Sequence, residues 1–278
     1  MNKIGAHVSI AGGIANAPGR AREEGLETFQ CFTRSPQGGP APVLTPEVVA
    51  EFKAAMANAG MDRFVVHAPY YVNLASLENR IRHSSIAVIR DELERGTILG
   101  GKYVMFHPGS YVNQTLQEAT TTIRKAMERI LDGYEGTCRL LVEISAGAGS
   151  VMGDTFEEVA AIIEPIRGHP GFGGVCFDTC HAFASGYDFR TPDMAQRMLS
   201  TFDSTIGLDL LKLSHVQDSK ADLGGHKDRH EHIGAGFVGR DGLQALLRTT
   251  AFSDIDWILE TESEGRTEDI RILREIRA

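Results

Sequence analysis

Apolar runs of strand length recur along the chain, at 4–8, 28–32, 64–67, 103–107, 140–144, 174–178, 211–216 and 257–260. They are continuous rather than alternating, the pattern of parallel strands covered on both faces. The segments between them carry helical signals. Residues 14–24 follow Gly12-Gly13. Thr45-Pro46-Glu47 opens a helix with an N-cap threonine and a proline in the first turn; Val48, Val49, Phe52, Ala55 and Met56 mark its apolar face, and Gly60 stops it. Further helices are expected at 77–99, 115–131, 155–167, 191–206, 240–248 and 268–276. Within the third, Asp91, Glu92 and Arg95 read as a charged helix face with no further role. Eight strands alternating with helices predict the α/β class and a single (β/α)8 TIM barrel over residues 1–278. A doubly wound open sheet is the alternative.

Composition narrows the class. Hydrophobic residues make up 42% of the 278 positions and charged residues 23%, a globular balance that excludes a disordered chain. No apolar run approaches the roughly 18 residues of a membrane span, so no membrane partner is expected. The opening residues do not read as a signal peptide, and the cytoplasm is the expected location. Cys31, Cys138, Cys176 and Cys180 show no CxxC spacing and read as reduced thiols. No GxGxxG follows a strand, which argues against a nucleotide cofactor. With 28 Lys+Arg and 37 Asp+Glu the net charge is −9. That charge repels phosphates at long range and counts against a nucleic-acid partner.

The placement of His, Asp and Glu on this frame changes the picture. His67 ends the third strand and His107 the fourth; Glu143 lies near the end of the fifth; Asp178 ends the sixth, with His181 just beyond. His215 lies near the end of the seventh, Asp228 and His230 in the following loop, and Glu260 at the end of the eighth. In a barrel these positions converge on the C-terminal mouth of the strands, where barrel enzymes carry their active sites. Any one of them has an ordinary structural explanation; the set of five His, two Asp and two Glu does not. Four carboxylates in one mouth need counter-charge, which divalent cations supply. Imidazole and carboxylate donors without thiolate suit Zn²⁺, Mn²⁺ or Fe²⁺. Nine donors exceed one tetrahedral ion and suffice for two or three, an arrangement typical of phosphoester hydrolysis.

Several segments carry a resemblance: IGAHVSIAGG at 4–13, VHAPYYVNLA at 66–75, FHPGS at 106–110, VEISAGAGS at 142–150, FDTCHAFASGYD at 177–188, DRHEHIG at 228–234 and LET at 259–261. In this order, over nearly the whole chain, they resemble the endonuclease IV family of zinc-dependent abasic-site (AP) endonucleases. The resemblance implies three Zn²⁺ per chain, with Mn²⁺ or Fe²⁺ possible at some positions. His67 and His107 would hold the first ion, Glu143 would bridge it to the second, Asp178, His215 and Glu260 would complete the second, and His181, Asp228 and His230 would bind the third. It implies a DNA repair endonuclease of base excision repair. Acting on double-stranded DNA, it would hydrolyse the phosphodiester 5′ to an abasic site through a metal-bridging hydroxide aligned by Glu143, the catalytic residue. The products would be a 3′-hydroxyl and a 5′-deoxyribose phosphate, with 3′-end cleaning as a possible second activity. A monomer is expected. Three divalent ions would bring six positive charges to four carboxylates, so an acidic chain can still present a positive mouth to DNA.

The chain also departs from the family pattern. Gln37 stands where an arginine that opens the duplex is usual, Tyr71 replaces an aliphatic wedge beside the retained Tyr70, and Ile144 replaces the usual Asn after Glu143. HLNDS reads HVQDS, with Gln217, and Glu262 follows Glu260-Thr261. Gln37, Tyr70, Tyr71, Lys220 and Arg229 are the candidate DNA contacts, since cations beside aromatics suit phosphate contact and base stacking. His7 reads either as a group behind the ligands or as a strand-end hydrogen bond. His232 is expected to orient the ligand loop, and Cys180 to be no ligand. Two other readings stand beside this one: a sugar isomerase or epimerase with one or two ions, and a metal-dependent binder of abasic DNA without turnover.

Overall fold

The structure, a computed structural model, describes residues 2–278. Eight parallel strands pair side by side and close into a barrel, with Asp256–Leu259 seated between Ile4–His7 and Leu211–His215 and the others following in chain order. Closure rules out the open doubly wound sheet. The chain forms two units, one of residues 5–142 and 162–174, the other of residues up to 4, 143–161 and 175–278.

In chain order come β1 (Ile4–His7), α1 (Ala17–Glu23), β2 (Thr28–Cys31), α2 (Pro46–Ala59), β3 (Val65–His67), α3 (Asn79–Leu99), β4 (Tyr103–Phe106), α4 (Leu116–Leu131) and β5 (Arg139–Glu143). The helix expected at 14–24 begins with a 3-10 turn, Ile14–Asn16. Thr45 caps α2 by accepting the Val48 amide at 3.4 Å, and Gly60 ends it in the left-handed region at φ 72°. Thr115 and Glu118 form a capping box on α4. The strands are buried throughout β2, β3 and β4, as continuous apolar runs require. Phe29 stacks on Phe64, which meets Phe52 of α2 edge-on.

Asp91, Glu92 and Arg95 are not a plain charged face. Glu92 is fully buried and Arg95 nearly so, and the buried Arg34 from the loop after β2 meets both Glu92 and Asp91. Thr33 Oγ1 donates to Glu92 at 2.6 Å, while Arg95 donates to Thr33 Oγ1 at 2.6 Å and to the Pro42 carbonyl at 2.8 Å. A buried carboxylate must be paired, and its partners come from 58 positions away, beyond any helical pattern.

The chain continues with α5 (Phe156–Ile163), β6 (Phe172–Asp178), α6 (Thr179–Ala184), α7 (Pro192–Thr205), β7 (Leu211–His215), β8 (Asp218–Ser219), β9 (His230–Glu231), α8 (Gly239–Leu247), α9 (Thr250–Ser253), β10 (Asp256–Leu259) and α10 (Arg266–Arg277). Trp257 is buried, its indole donating to the Phe252 carbonyl at 3.1 Å, and Phe156 stacks on Tyr187. The short elements α6, α9 and the antiparallel ribbon β8–β9 lie outside the sequence expectations. No described helix is long and apolar enough to cross a membrane.

Candidate metal centre

Parallel strands end together, so the residues that finish β5, β6, β7 and β10 fall at one level. Glu143, Asp178 and His215 are the last residues of β5, β6 and β7, and all three are fully buried. Glu260 follows β10. His215 Nδ1 lies 2.9 Å from Glu143 Oε1, 3.4 Å from Glu260 Oε2 and 3.7 Å from Asp178 Oδ2. These four residues bring ligand atoms within 4.8 Å of one another.

Above this floor sits a second group. Asp178 caps α6 by accepting the His181 amide at 2.7 Å, which places the His181 ring in the first turn. The ring's Nδ1 is 2.9 Å from the Ile144 carbonyl, so Nε2 is the atom left to face outward. His181 Nε2 lies 3.3 Å from Asp228 Oδ1, His230 Nε2 lies 3.1 Å from the same oxygen, and the two nitrogens are 3.5 Å apart. His230 comes from β9 and Asp228 from the loop before it. The Asp228 side chain is 53% exposed and that of His230 19%.

These spacings test whether a metal fits. Ligands about 2.0–2.1 Å from a tetrahedral ion stand about 3.3–3.4 Å apart. The three edges of the His181–Asp228–His230 triangle, 3.3, 3.1 and 3.5 Å, match that spacing. The Nδ1 bond of His181 to a backbone carbonyl is the outer contact that metal-bound imidazoles make. The donor set fits divalent ions.

The electrostatics agree. Burial works to lower the pKa of His181, yet Asp178, Asp228 and Glu143 hold it well above the usual histidine range. Burial likewise opposes the charged form of His215, and neighbours including Glu143 and Glu260 outweigh it. His230 is pushed up to about 8 against burial, by its bond to Asp228 with Asp178 and Glu260 behind. Burial would raise Asp228, but its bonds to His181 and His230 hold it far below the usual carboxylate range. Without an ion, protons are drawn to the same nitrogens: the site is built to concentrate positive charge.

The remaining candidates divide between the two units. In the first unit His67 ends β3, buried, with Nδ1 2.6 Å from the Ala68 carbonyl; its ring is 5.4 Å from that of His107 and 5.4 Å from Tyr70. His7 Nδ1 is 3.0 Å from Gln30 Nε2, and its ring is 6.4 Å from His67. Tyr70 is 64% exposed and Tyr71 39%. Gln37 is exposed in the loop after β2. In the second unit Lys220 and Arg229 are exposed, Lys220 lying 3.7 Å from Glu231. His232 meets Asp269 at 2.8 Å, as a loop-orienting residue should. Cys180 is buried, and burial pushes its thiol up to about 12, so it stays protonated at neutral pH. All four cysteines are free.

Two departures from the family pattern look different in three dimensions. Gln217 is fully buried; its amide nitrogen donates to Asp178 Oδ2 and its oxygen lies 3.4 Å from the Glu260 amide. It orients one candidate ligand and braces the backbone of another. At Ile144 the contact with His181 is made by the backbone carbonyl, which no side-chain change removes. Sequence reasoning missed two buried carboxylates, Asp218 and Asp269, that bond the ligand loop. The only signal for Asp218 was its place in HVQDS.

Barrel closure and a polar cluster at its strand ends define a class, and the sequence agrees: the model of the family described as "Xylose isomerase-like TIM barrel" matches residues 18–276. A "Probable endonuclease 4" of Methanoculleus marisnigri is 38% identical over 100% of this chain and 98% of its own length. That of Chlorobium phaeobacteroides is 39% identical over 99% and 97%. The crystal structure of endonuclease IV from Thermus thermophilus matches with a TM-score of 0.83 and 35% identity, covering 99% of this chain and 97% of that one. The chain belongs to the endonuclease IV family. A D-tagatose 3-epimerase-like protein, 20% identical with a TM-score of 0.78, shares the fold alone.

Proposed function

We propose that this chain is a metal-dependent DNA repair endonuclease that hydrolyses the phosphodiester 5′ to an abasic site in duplex DNA, leaving a 3′-hydroxyl and a 5′-deoxyribose phosphate. The observation that supports it most is the His181–Asp228–His230 triangle with ion-ligand edges, beside a buried carboxylate and imidazole floor. On this reading three Zn²⁺, replaceable at some positions by Mn²⁺ or Fe²⁺, would be held by His67, His107 and Glu143, by Glu143, Asp178, His215 and Glu260, and by His181, Asp228 and His230. Bound divalent ions supply Lewis-acid polarisation of the phosphate and acidify water.

The protein's own groups do the rest. Glu143, fully buried at the end of β5, would align the attacking water with phosphorus. Gln217 keeps Asp178 turned to its task, and the Ile144 carbonyl does the same for His181. Tyr70 and Tyr71, exposed beside His67, offer rings to an opened base stack, while Lys220, Arg229 and Gln37 meet backbone or displaced bases. One domain, acting as a monomer in the compartment that holds the DNA, suffices. The test is a duplex with a single abasic site. Purified protein should nick it 5′ to the lesion, and EDTA or 1,10-phenanthroline should suppress the nick. Fully metallated protein that leaves the strand intact overturns the reading.

A further inference from the structure

The segment from β8 to α8, residues 218–239, delivers Asp228 and His230, yet it has little apolar anchorage. Ile233 and Val238 are buried, while 222–223 and 226–229 are exposed and five glycines interrupt it. Such a stretch gains little from burial to offset the entropy of ordering it. Two buried carboxylates hold it instead. Asp218 Oδ1 accepts the Ser219 amide at 2.8 Å and the Val238 amide at 2.9 Å; its Oδ2 accepts Gly234 at 3.1 Å and Gly239 at 3.0 Å. Asp269, in the first turn of α10, meets His232 Nδ1 at 2.8 Å and accepts the Thr261 hydroxyl at 2.7 Å through Oδ2, and the Ile233 amide at 2.8 Å through Oδ1.

Both clamps act close to the ligands. In the ribbon, Ser219 pairs with His230 and Asp218 with Glu231. The Asp269 bonds fall at positions 232 and 233, two and three residues beyond His230. The loop is drawn down onto Asp218 so closely that a Cβ on Gly236 would stand 2.3 Å from the Ser219 carbonyl and 2.5 Å from Asp218 Oδ1.

We propose that Asp218 and Asp269 are positioning residues for the outermost ion site. They fold the loop so that Asp228 and His230 arrive pre-set against His181. This deepens the function proposed above and rests on its assignment of His181, Asp228 and His230 to one ion. An asparagine at 218 offers one acceptor oxygen and turns its NH₂ toward two of the four backbone amides, so half the clamp is lost. Removing an outer contact of this kind typically weakens metal binding by about ten- to a hundredfold.

The experiment is a Zn²⁺ and Co²⁺ titration of the metal-stripped full chain, as wild type, Asp218→Asn, Asp269→Asn and Asp228→Ala, with circular dichroism to establish folding. The expected result is that Asp228→Ala removes one ion per chain. The two clamp variants should weaken that same ion about ten- to a hundredfold and leave the others at wild-type affinity. Excess Zn²⁺ should restore the missing ion in the clamp variants but not in Asp228→Ala. If Asp218→Asn does not fold, Asp269→Asn and Gly236→Ala carry the decision. Folded variants that bind every ion within about twofold of wild type overturn the proposal, as does a uniform weakening of all ions. The titration is independent of catalysis: wild-type protein that fails to nick abasic DNA sinks the functional reading and leaves the metal result standing.

Discussion

The candidate centre holds one donor chemistry in two ways. Glu143, Asp178 and His215 form a floor at the ends of β5, β6 and β7, each without solvent exposure. Asp228 and His230 form a rim on a ribbon and loop, 53% and 19% exposed at the side chain. Strand register fixes the backbone positions of the floor, which can be lost only with the sheet. Hydrogen bonds to Asp218 and Asp269 fix the rim, which can loosen while the sheet stands. Buried donors also feel one another's charge more strongly than exposed ones. The contrast separates an ion site that is part of the fold from one attached to it.

The contrast can be broken most sharply at the floor. Glu143→Gln keeps the shape and removes the charge, and turnover on abasic DNA should fall about 10²- to 10⁴-fold while DNA binding persists. Single-turnover kinetics beside a binding titration decide it; near-normal rates would remove Glu143 from the mechanism. Gln217→Ala comes next. It strips Asp178 of its amide partner, and floor-ion affinity should fall about ten- to a hundredfold with the rim ion unchanged. Competition with a chelator of known strength measures this, and an effect on the rim alone would invert the comparison.

The smallest expected effect is a pH dependence of the rim. His230 titrates at about 8 in the metal-free protein, so an ion must displace its proton below that pH. His181, held well above the usual histidine range, must give up its proton to the same ion, so affinity for the rim ion should fall by at least about tenfold per unit below pH 8. Metal-free stability runs the opposite way. The raised value favours the fold fully below the unfolded histidine value of about 6.5, and that gain disappears as pH rises through about 8. Metal titration and thermal melts at about pH 6 and about pH 9, either side of that window, should therefore move in opposite directions. Uptake that is flat across this range contradicts the charge-concentrating rim.

What the sequence made legible follows the same division. The floor could be read because the apolar runs at 140–144, 174–178 and 211–216 each carry a polar residue at or next to their ends, and barrel geometry brings such ends together. Glu143, Asp178 and His215 needed no distances to be grouped. The way the rim is supported could not be read. Asp218 reaches amides 16 to 21 positions away, and Asp269 one 36 away, and neither contact leaves a periodic trace. Gln217 looked like drift because only its identity was visible; its place between Asp178 and Glu260 was not. Glu92 was misread for a similar reason. On α3 it shares a buried face with Ile89, Leu93 and Gly96, and its cation comes from the loop after β2.

That loop has a further consequence. Thr33 and Arg34 at its start and the Pro42 carbonyl at its end are all tied to Asp91, Glu92 or Arg95 of α3. Its span is thus anchored at both ends before any substrate arrives, and Gln37 sits between the anchors with its side chain in solvent. Substitution at such a tip changes the surface offered to solvent without removing the bonds that anchor the loop. On the proposed function, a change at Gln37 alone would alter lesion preference and leave the metal donors where they are.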